Sequence, residues 1–202
     1  MAETYLTGCQ HYSHYNIIGY CDRPFEGIIP MNATMIKKHN DRVTDDDTVY
    51  NFGDFAFYSK NANGNGSIIN PKDIIKQLKG YQIFIEGNHD RHGRNKLNTK
   101  NEQIIINQHG LRIQLLHDPL YARIDYDLIL HSHVHKAWKI KELHYCGQTR
   151  LMINVGVDVN NFMPVRLDEV LSIYYKWKKQ REKINRWAIP EIITEMNKNY
   201  GN

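Results

Sequence analysis

The chain has 202 residues, 41% of them hydrophobic and 24% charged, with a formal charge of +4. That length fits one domain with a single sizeable core, and an aromatic share of 11% beside so small a net charge excludes disorder as a description of the whole. No apolar run approaches the roughly 20 residues of a membrane helix, so no membrane partner is expected, and the mild basicity does not by itself demand nucleic acid.

In chain order, the first β-type run covers 4–7. A helix is predicted over 34–43, after a turn that begins at Pro30, and a second strand over 48–52. The polar, glycine-rich stretch 61–67 reads as a surface loop. Pro71 suits a first helical turn and Gly80 a stop, which places a helix over 72–79. Strands follow at 82–86, 103–107, 111–117, 127–131 and 151–155, nearly continuous in apolar residues and so expected to be covered on both faces. Strands alternating with helices argue for an α/β layered domain spanning 1–202. Its last part, 166–202, carries eight Lys/Arg against five Asp/Glu. There Leu167, Val170, Leu171, Tyr174, Trp177, Ile184 and Trp187 share one helical face, and Lys176, Lys178, Lys179, Arg181, Lys183 and Arg186 mostly decorate the rest. This is a basic amphipathic helix, expected to end at Pro190; it either packs on the sheet or offers a surface to a phosphate backbone.

The N-terminus has neither a basic stretch nor a long apolar one, so no secretory signal is visible. Cysteines at 9, 21 and 146 form neither an even set nor a C-x-x-C pair, which favours a reducing cytoplasm. Eleven dispersed histidines need a reason. Five polar groups follow predicted strands: Cys9-Gln10-His11, Gly53-Asp54, Gly87-Asn88-His89-Asp90, His117-Asp118 and His131-Ser132-His133-Val134-His135. Ligands of open α/β sheets bind beyond the carboxyl ends of strands, where such loops converge. The residue types suit a pair of divalent ions, which needs a bridging carboxylate (Asp54), neutral imidazoles and a carbonyl oxygen without added charge (Asn88). On an extended segment His133 and His135 point the same way; His131 could share that side but lies deeper in its strand.

These groups, in this order, resemble the calcineurin-like metallophosphoesterases, whose pattern is D-x-H, G-D, G-N-H-D, an isolated H, then G-H-x-H. The resemblance covers most of 5–158. Runs around His14-Tyr15-Asn16-Ile17-Ile18, Arg23-Pro24-Phe25, Gly53-Asp54-Phe55-Ala56-Phe57 and Asn154-Val155-Gly156-Val157-Asp158 are similar to a small bacterial and phage subgroup. The resemblance implies a four-layer α/β/β/α sandwich with two metals (manganese, iron, zinc or nickel) at the strand ends. Position 9, His11, Asp54 and His135 would hold one; Asp54, Asn88, His117 and His133 the other. It further implies a phosphoester substrate, diesters ahead of monoesters, cleaved by a metal-bridging hydroxide. His89 would act as general acid and Asp90 would orient its ring.

Cys9 stands where that family has Asp, and three readings follow. A thiolate could ligate and move preference toward zinc or iron; the first metal could be weakened or lost; or the chain could be a silent relative that keeps the fold as a binding module. A nuclease or nucleotide-acting enzyme gripping its substrate with the basic C-terminal helix is a further alternative. His14 is expected at the pocket. Arg23 and Arg91 are expected either to hold a substrate phosphate through a bidentate fork or to form surface ion pairs. His39, His92, His109 and His144 are taken as surface or loop residues, Cys21 and Cys146 as buried thiols, and Asp158 and Asn160 as turn-stabilising.

Overall fold

A computed structural model describes residues 2–57, 70–90 and 101–199, the side chains of 184–199 excepted. The polar stretch 61–67, Arg91 and His92 lie outside the described residues. The chain divides into two compact units, Met1–Leu167 and Asp168–Asn202.

The first unit has the expected α/β fold, built on two mixed sheets. Strands β1 (Thr4–Thr7), β2 (Thr48–Asn51), β3 (Tyr81–Phe84) and β9 (Val165–Arg166) form one sheet in the order β3-β2-β1-β9. Strands β4 (Gln103–Gln108), β5 (Leu111–Leu116), β6 (Leu128–His131), β7 (Ile140–Tyr145) and β8 (Gln148–Asn154) form the other, β4-β5-β6-β8-β7. Strands β1, β2 and β3 are mutually parallel, as are β5, β6 and β8. Each parallel set therefore sends its carboxyl ends to one edge of its sheet. The two edges meet: Ser132 Oγ donates to Phe52 O at 2.7 Å, and Val157 N to Gly8 O at 3.0 Å.

Strand β6 reads Leu-Ile-Leu-His and is buried throughout. By the two-residue period of a strand, Ile129 joins Leu116 and Met152 on one face, and Leu128 and Leu130 take the other. Helices α1 (Asn16–Tyr20), α2 (Ile28–Asn40) and α3 (Pro71–Ile75) bury Ile17, Met31, Met35 and Ile74 in one cluster with Tyr12 and Phe55, against which Phe84 of β3 packs. Helix α2 starts before the predicted position. Pro30 sits in its first turn, where the amide it lacks has no partner to lose, so it does not block the helix. Asn70 caps α3 by accepting from Lys72 N at 3.1 Å.

Two strands were not predicted. β7 is a mostly exposed edge strand with little apolar signal. It joins β8 through Cys146-Gly147, both at positive φ, the geometry of a tight hairpin turn. Cys146 is accordingly exposed rather than buried. His39 corrects the surface assignment: it is 3% exposed in α2, with Nε2 donating to Lys79 O at 2.9 Å.

In the second unit, helix α4 (Leu167–Asn199) opens with Asp168 and Glu169, charges that suit the positive end of a helix dipole. The ring of Trp177 lies 5.8 Å from that of Tyr174 and 5.6 Å from the Arg181 guanidinium. The helix continues past Pro190, contrary to expectation; a proline removes one amide bond and crowds a carbonyl, which can kink a helix without ending it. Among the described residues no helix is long and apolar enough to cross a membrane.

Gly8 tests the meeting of the sheets. A Cβ there would fall 2.8 Å from Phe52 Cβ and 2.9 Å from Ser132 Cβ, whereas one at Gly19 meets nothing within 4 Å. Gly8→Ala is expected to cost about 1–3 kcal/mol of unfolding free energy by overpacking. Gly19→Ala, inside α1, is expected to be neutral or to stabilise by roughly 0.5–1 kcal/mol; urea melts check both.

Candidate metal centre

The loops after β1 and β2 run side by side: Cys9 N donates to Gly53 O, His11 N to Asp54 O and Tyr12 N to Phe55 O, each at 2.9 Å. Within and across this strip the backbone is bent into the left-handed region at Cys9 (φ 53°), His11 (51°) and Asp54 (52°), and again at His133 (40°) and His135 (47°). Each such non-glycine residue costs on the order of 1–3 kcal/mol, and such strain concentrates at functional sites. The glycines of the motifs are required by close approach. A Cβ at Gly53 would lie 2.5 Å from Gly87 N, and one at Gly87 closer still to the Asp54 carboxylate.

Asp54 lies at the middle, 2% exposed, with Oδ2 at 3.5 Å from His11 Nε2 and 3.4 Å from His117 Nε2. His89 N donates to its Oδ1 at 2.8 Å. Burial alone would push this carboxyl up, but the hydrogen bond and charge of His117, with His11 and the His89 amide, outweigh it and hold the group below the usual carboxylate range. His117 gives its Nδ1 hydrogen to Phe52 O at 2.6 Å and turns Nε2 toward Asn88 Oδ1 (2.9 Å) and His133 Nδ1 (3.1 Å). Nε2 of His11 is buried and has no hydrogen-bond partner. Burial pushes the Cys9 thiol well up and the Asp54 charge adds to it, outweighing the Ser132 hydrogen bond and the Arg23 charge, which favour the thiolate.

Among the described residues, potential Cys, His, Asp and Glu ligand atoms fall into three groups, each with all its atoms within 4.8 Å of one another: Cys9, His11 and His135; Cys9, Asp54 and His117; and Cys21, His135 and Asp158. The third is a poor cation site, because the Asp158 carboxylate already faces the Arg23 guanidinium. The first fits a cation by the observation on His11, an orphaned imidazole nitrogen aimed at the buried Asp54 carboxylate beside a thiol and a second imidazole, and the second shares that thiol.

The other expected residues are placed as follows. His89 stands beside the donors, its ring 5.4 Å from that of His11. His14 stacks on Phe57 at 4.7 Å, with Nδ1 3.3 Å from His11 Nδ1; burial and the neighbouring His89 push its pKa down to about 4. Asp90, expected to orient the His89 ring, is instead engaged with backbone amides. Its carboxylate accepts from Asp54 N (2.7 Å), Gly87 N (2.8 Å) and Phe55 N (3.3 Å), binding the second and third motif loops together. Arg23 is not at the surface and does not reach into open space. Its guanidinium is fully buried, holds Asp158 from Nε (2.8 Å) and a terminal nitrogen (3.0 Å), and donates to Gln10 O (2.7 Å) and Cys9 O (2.8 Å). His131 is buried against Trp138, and its Nε2 has no hydrogen-bond partner. A cleft of about 460 Å³ opens beside His11, His14, His89 and His135, with Ile17 and Tyr20 on its wall. A second, also about 460 Å³, opens beside Asn88 and His117, with Tyr121 and Arg123.

No protein-family model matches the chain. Over 183 residues it is 34% identical to the uncharacterized protein MJ1445 of Methanocaldococcus jannaschii, covering 90% of this chain and 96% of that one. The chain belongs to the family of this archaeal protein. Among solved structures, the protein of unknown function AQ665 from Aquifex aeolicus shares its fold, with a TM-score of 0.64 and 23% identity over 86% of this chain and all of the other. Yfce, a phosphoesterase from E. coli, overlays with a TM-score of 0.42 at 16% identity, covering 76% of this chain and 79% of that one. That likeness is too remote to carry an activity across.

Sequence reasoning missed the part played by Asp158. Beyond pairing with Arg23, it accepts from His135 Nδ1 at 2.8 Å, which in the neutral ring leaves the lone pair on Nε2. Asn154 holds the same segment through His135 O (2.8 Å) and Trp138 O (3.0 Å). The available signal was the 154–158 run already noted for its resemblance. Because both charges of the Arg23–Asp158 pair are buried, Arg23→Met strands a carboxylate and is expected to cost about 3–5 kcal/mol in a denaturant melt.

Proposed function

We propose that the chain is a metal-dependent phosphoesterase of the calcineurin-like superfamily. Cys9, His11, Asp54 and His135 form one cation position, and Asp54, Asn88, His117 and His133 the other. The observation that carries this reading is the orphaned Nε2 of His11 among the other donors. A buried polar atom without a partner costs on the order of 1–3 kcal/mol, and a cation at that point removes the cost. The order of the motifs supports the superfamily, and the left-handed backbone at five donor positions supports a site held in strain for a purpose.

When bound, two divalent ions supply an activated water and neutralise charge that builds on phosphoryl oxygens. The protein's own groups do the rest. Phe52 O holds the Nδ1 hydrogen of His117, so Nε2 is the nitrogen that would meet a cation, in exchange for the proton it shares with Asp54 and Asn88. Asn88 presents an amide oxygen that adds no negative charge. His89 is anchored through its backbone amide to Asp54 and stands beside the donors without belonging to either donor group, where its ring can protonate the departing oxygen. Two clefts flank the donors, one on the His89 side and one on the Asn88 side, room for the two organic arms of a phosphodiester.

The test is hydrolysis of a bis-aryl phosphodiester and of an aryl phosphomonoester with manganese, iron, zinc and nickel in turn. The diester is expected to turn over faster. Asp54→Asn is expected to abolish activity together with metal content. His89→Asn is expected to lower kcat roughly 10²–10⁴-fold with metal content unchanged. No turnover by metal-loaded protein with any of these ions would sink the enzyme reading and leave a binding module.

A further inference from the structure

Cys9 belongs to two donor groups at once. Its Sγ lies within 4.8 Å of ring nitrogens of both His11 and His135, and equally within 4.8 Å of an Asp54 oxygen and a His117 nitrogen. Two atoms bound to one zinc-class ion lie no further apart than about 4.4 Å, the sum of a sulfur bond near 2.3 Å and a nitrogen bond near 2.1 Å. Both groups are thus close to the size one ion gathers, and the sulfur is the atom they have in common. Two ions of a paired site stand about 3.5–4 Å apart, a span that one atom bonded to each can bridge.

The surroundings are not those of an inert thiol. A structural cysteine behaves as a small apolar side chain and packs as one. Cys9 is fully buried, yet its electrostatic neighbours are Asp54, Ser132, Asp158 and Arg23, and its sulfur groups with imidazole nitrogens and a carboxylate oxygen. Its backbone is pinned on both sides, the amide to Gly53 O at 2.9 Å and the carbonyl by Arg23 at 2.8 Å, in a left-handed conformation with φ 53°. An independent observation points to a missing ligand at the same place: the buried, unpartnered Nε2 of His11, a member of the first group.

We propose that Cys9 is a thiolate bridge shared by the two cation positions, and that this sulfur commits the centre to thiophilic divalent ions of the zinc class over manganese and magnesium. The inference rests on the metal-centre reading and deepens it, since Asp54 alone bridges there. As the bridge forms, the S–H proton leaves to solvent and two Sγ–metal bonds are made; nothing is oxidised or reduced. A soft donor enters both coordination shells, which is why both positions change preference together. Charge balance is kept, because a thiolate carries the same single negative charge as a carboxylate.

Cadmium-113 NMR of the cadmium-loaded natural chain tests this. Two resonances are expected, both displaced downfield into the range of sulfur-ligated cadmium, and both are expected to move upfield in Cys9→Ser. Zinc-edge X-ray absorption, which needs no variant, is expected to give one sulfur near 2.3 Å for every zinc. One downfield resonance beside one of oxygen–nitrogen type would overturn the bridge, and two of the latter type would remove sulfur from the centre. Either result leaves the metal-centre reading standing. Failure to bind cadmium at all would end both. In zinc–manganese competition the affinity ratio of Cys9→Asp is expected to shift toward manganese on the order of tenfold; an unchanged ratio would overturn the commitment to thiophilic ions.

Discussion

A carboxylate with 2% of its surface exposed must be compensated where it stands, and the Asp54 charge organises the first unit around that need. Its Oδ2 faces imidazoles from opposite sheets, His11 after β1 and His117 after β5, and its Oδ1 accepts a backbone amide from the loop after β3. Bringing three loops this close leaves no space for side chains at Gly53 and Gly87. It also goes with left-handed backbone at Cys9, His11 and Asp54, a cost offset by the ladder of hydrogen bonds between the Cys9 and Gly53 segments. Glycines, strained donors and strand ends are thus three expressions of one electrostatic requirement.

A second buried charge pair repeats the logic one layer out. Arg23, just beyond α1, reaches back to the carbonyls of Cys9 and Gln10 and across to Asp158 beyond β8, and Asp158 holds His135. Buried pairs of this kind contribute little net stability against an apolar replacement, but losing one partner is costly, so they act as fixed joints. This joint sets the direction of one donor ring and the path of the chain through two others.

The sequence was most legible where a local pattern carries the physics. The apolar runs that became β5, β6 and the second half of β8 are buried on both faces as expected. Strands β3 and β4, read the same way, are partly exposed, β4 alternating exposed with half-buried residues. The polar groups after the parallel strands meet at one edge. Legibility failed where partners are distant in sequence. Nothing in Arg23 or Asp158 announces a bidentate pair across 135 positions, and nothing in Asp90 announces that it gathers the amides of two loops. It failed again where a local rule was applied too strictly: Pro30 was read as a breaker although it falls in a first turn, and Pro190 as a terminator. β7 escaped because an exposed edge strand has no burial pattern to display.

The donors are divided between the sheets. Cys9, His11, Asp54 and Asn88 follow strands of one, while His117, His133 and His135 follow strands of the other. In the proposed reading, an ion seated among them would be a rivet through the seam between the sheets as well as a reagent. By linkage, whatever binds the folded chain and not the unfolded one raises its stability, about 2.7 kcal/mol at a hundredfold excess over Kd. The strain stored at five left-handed residues and the grip on the ion then become two sides of one balance. The cell's supply of metal would then decide how firmly the two sheets of the first unit are held together.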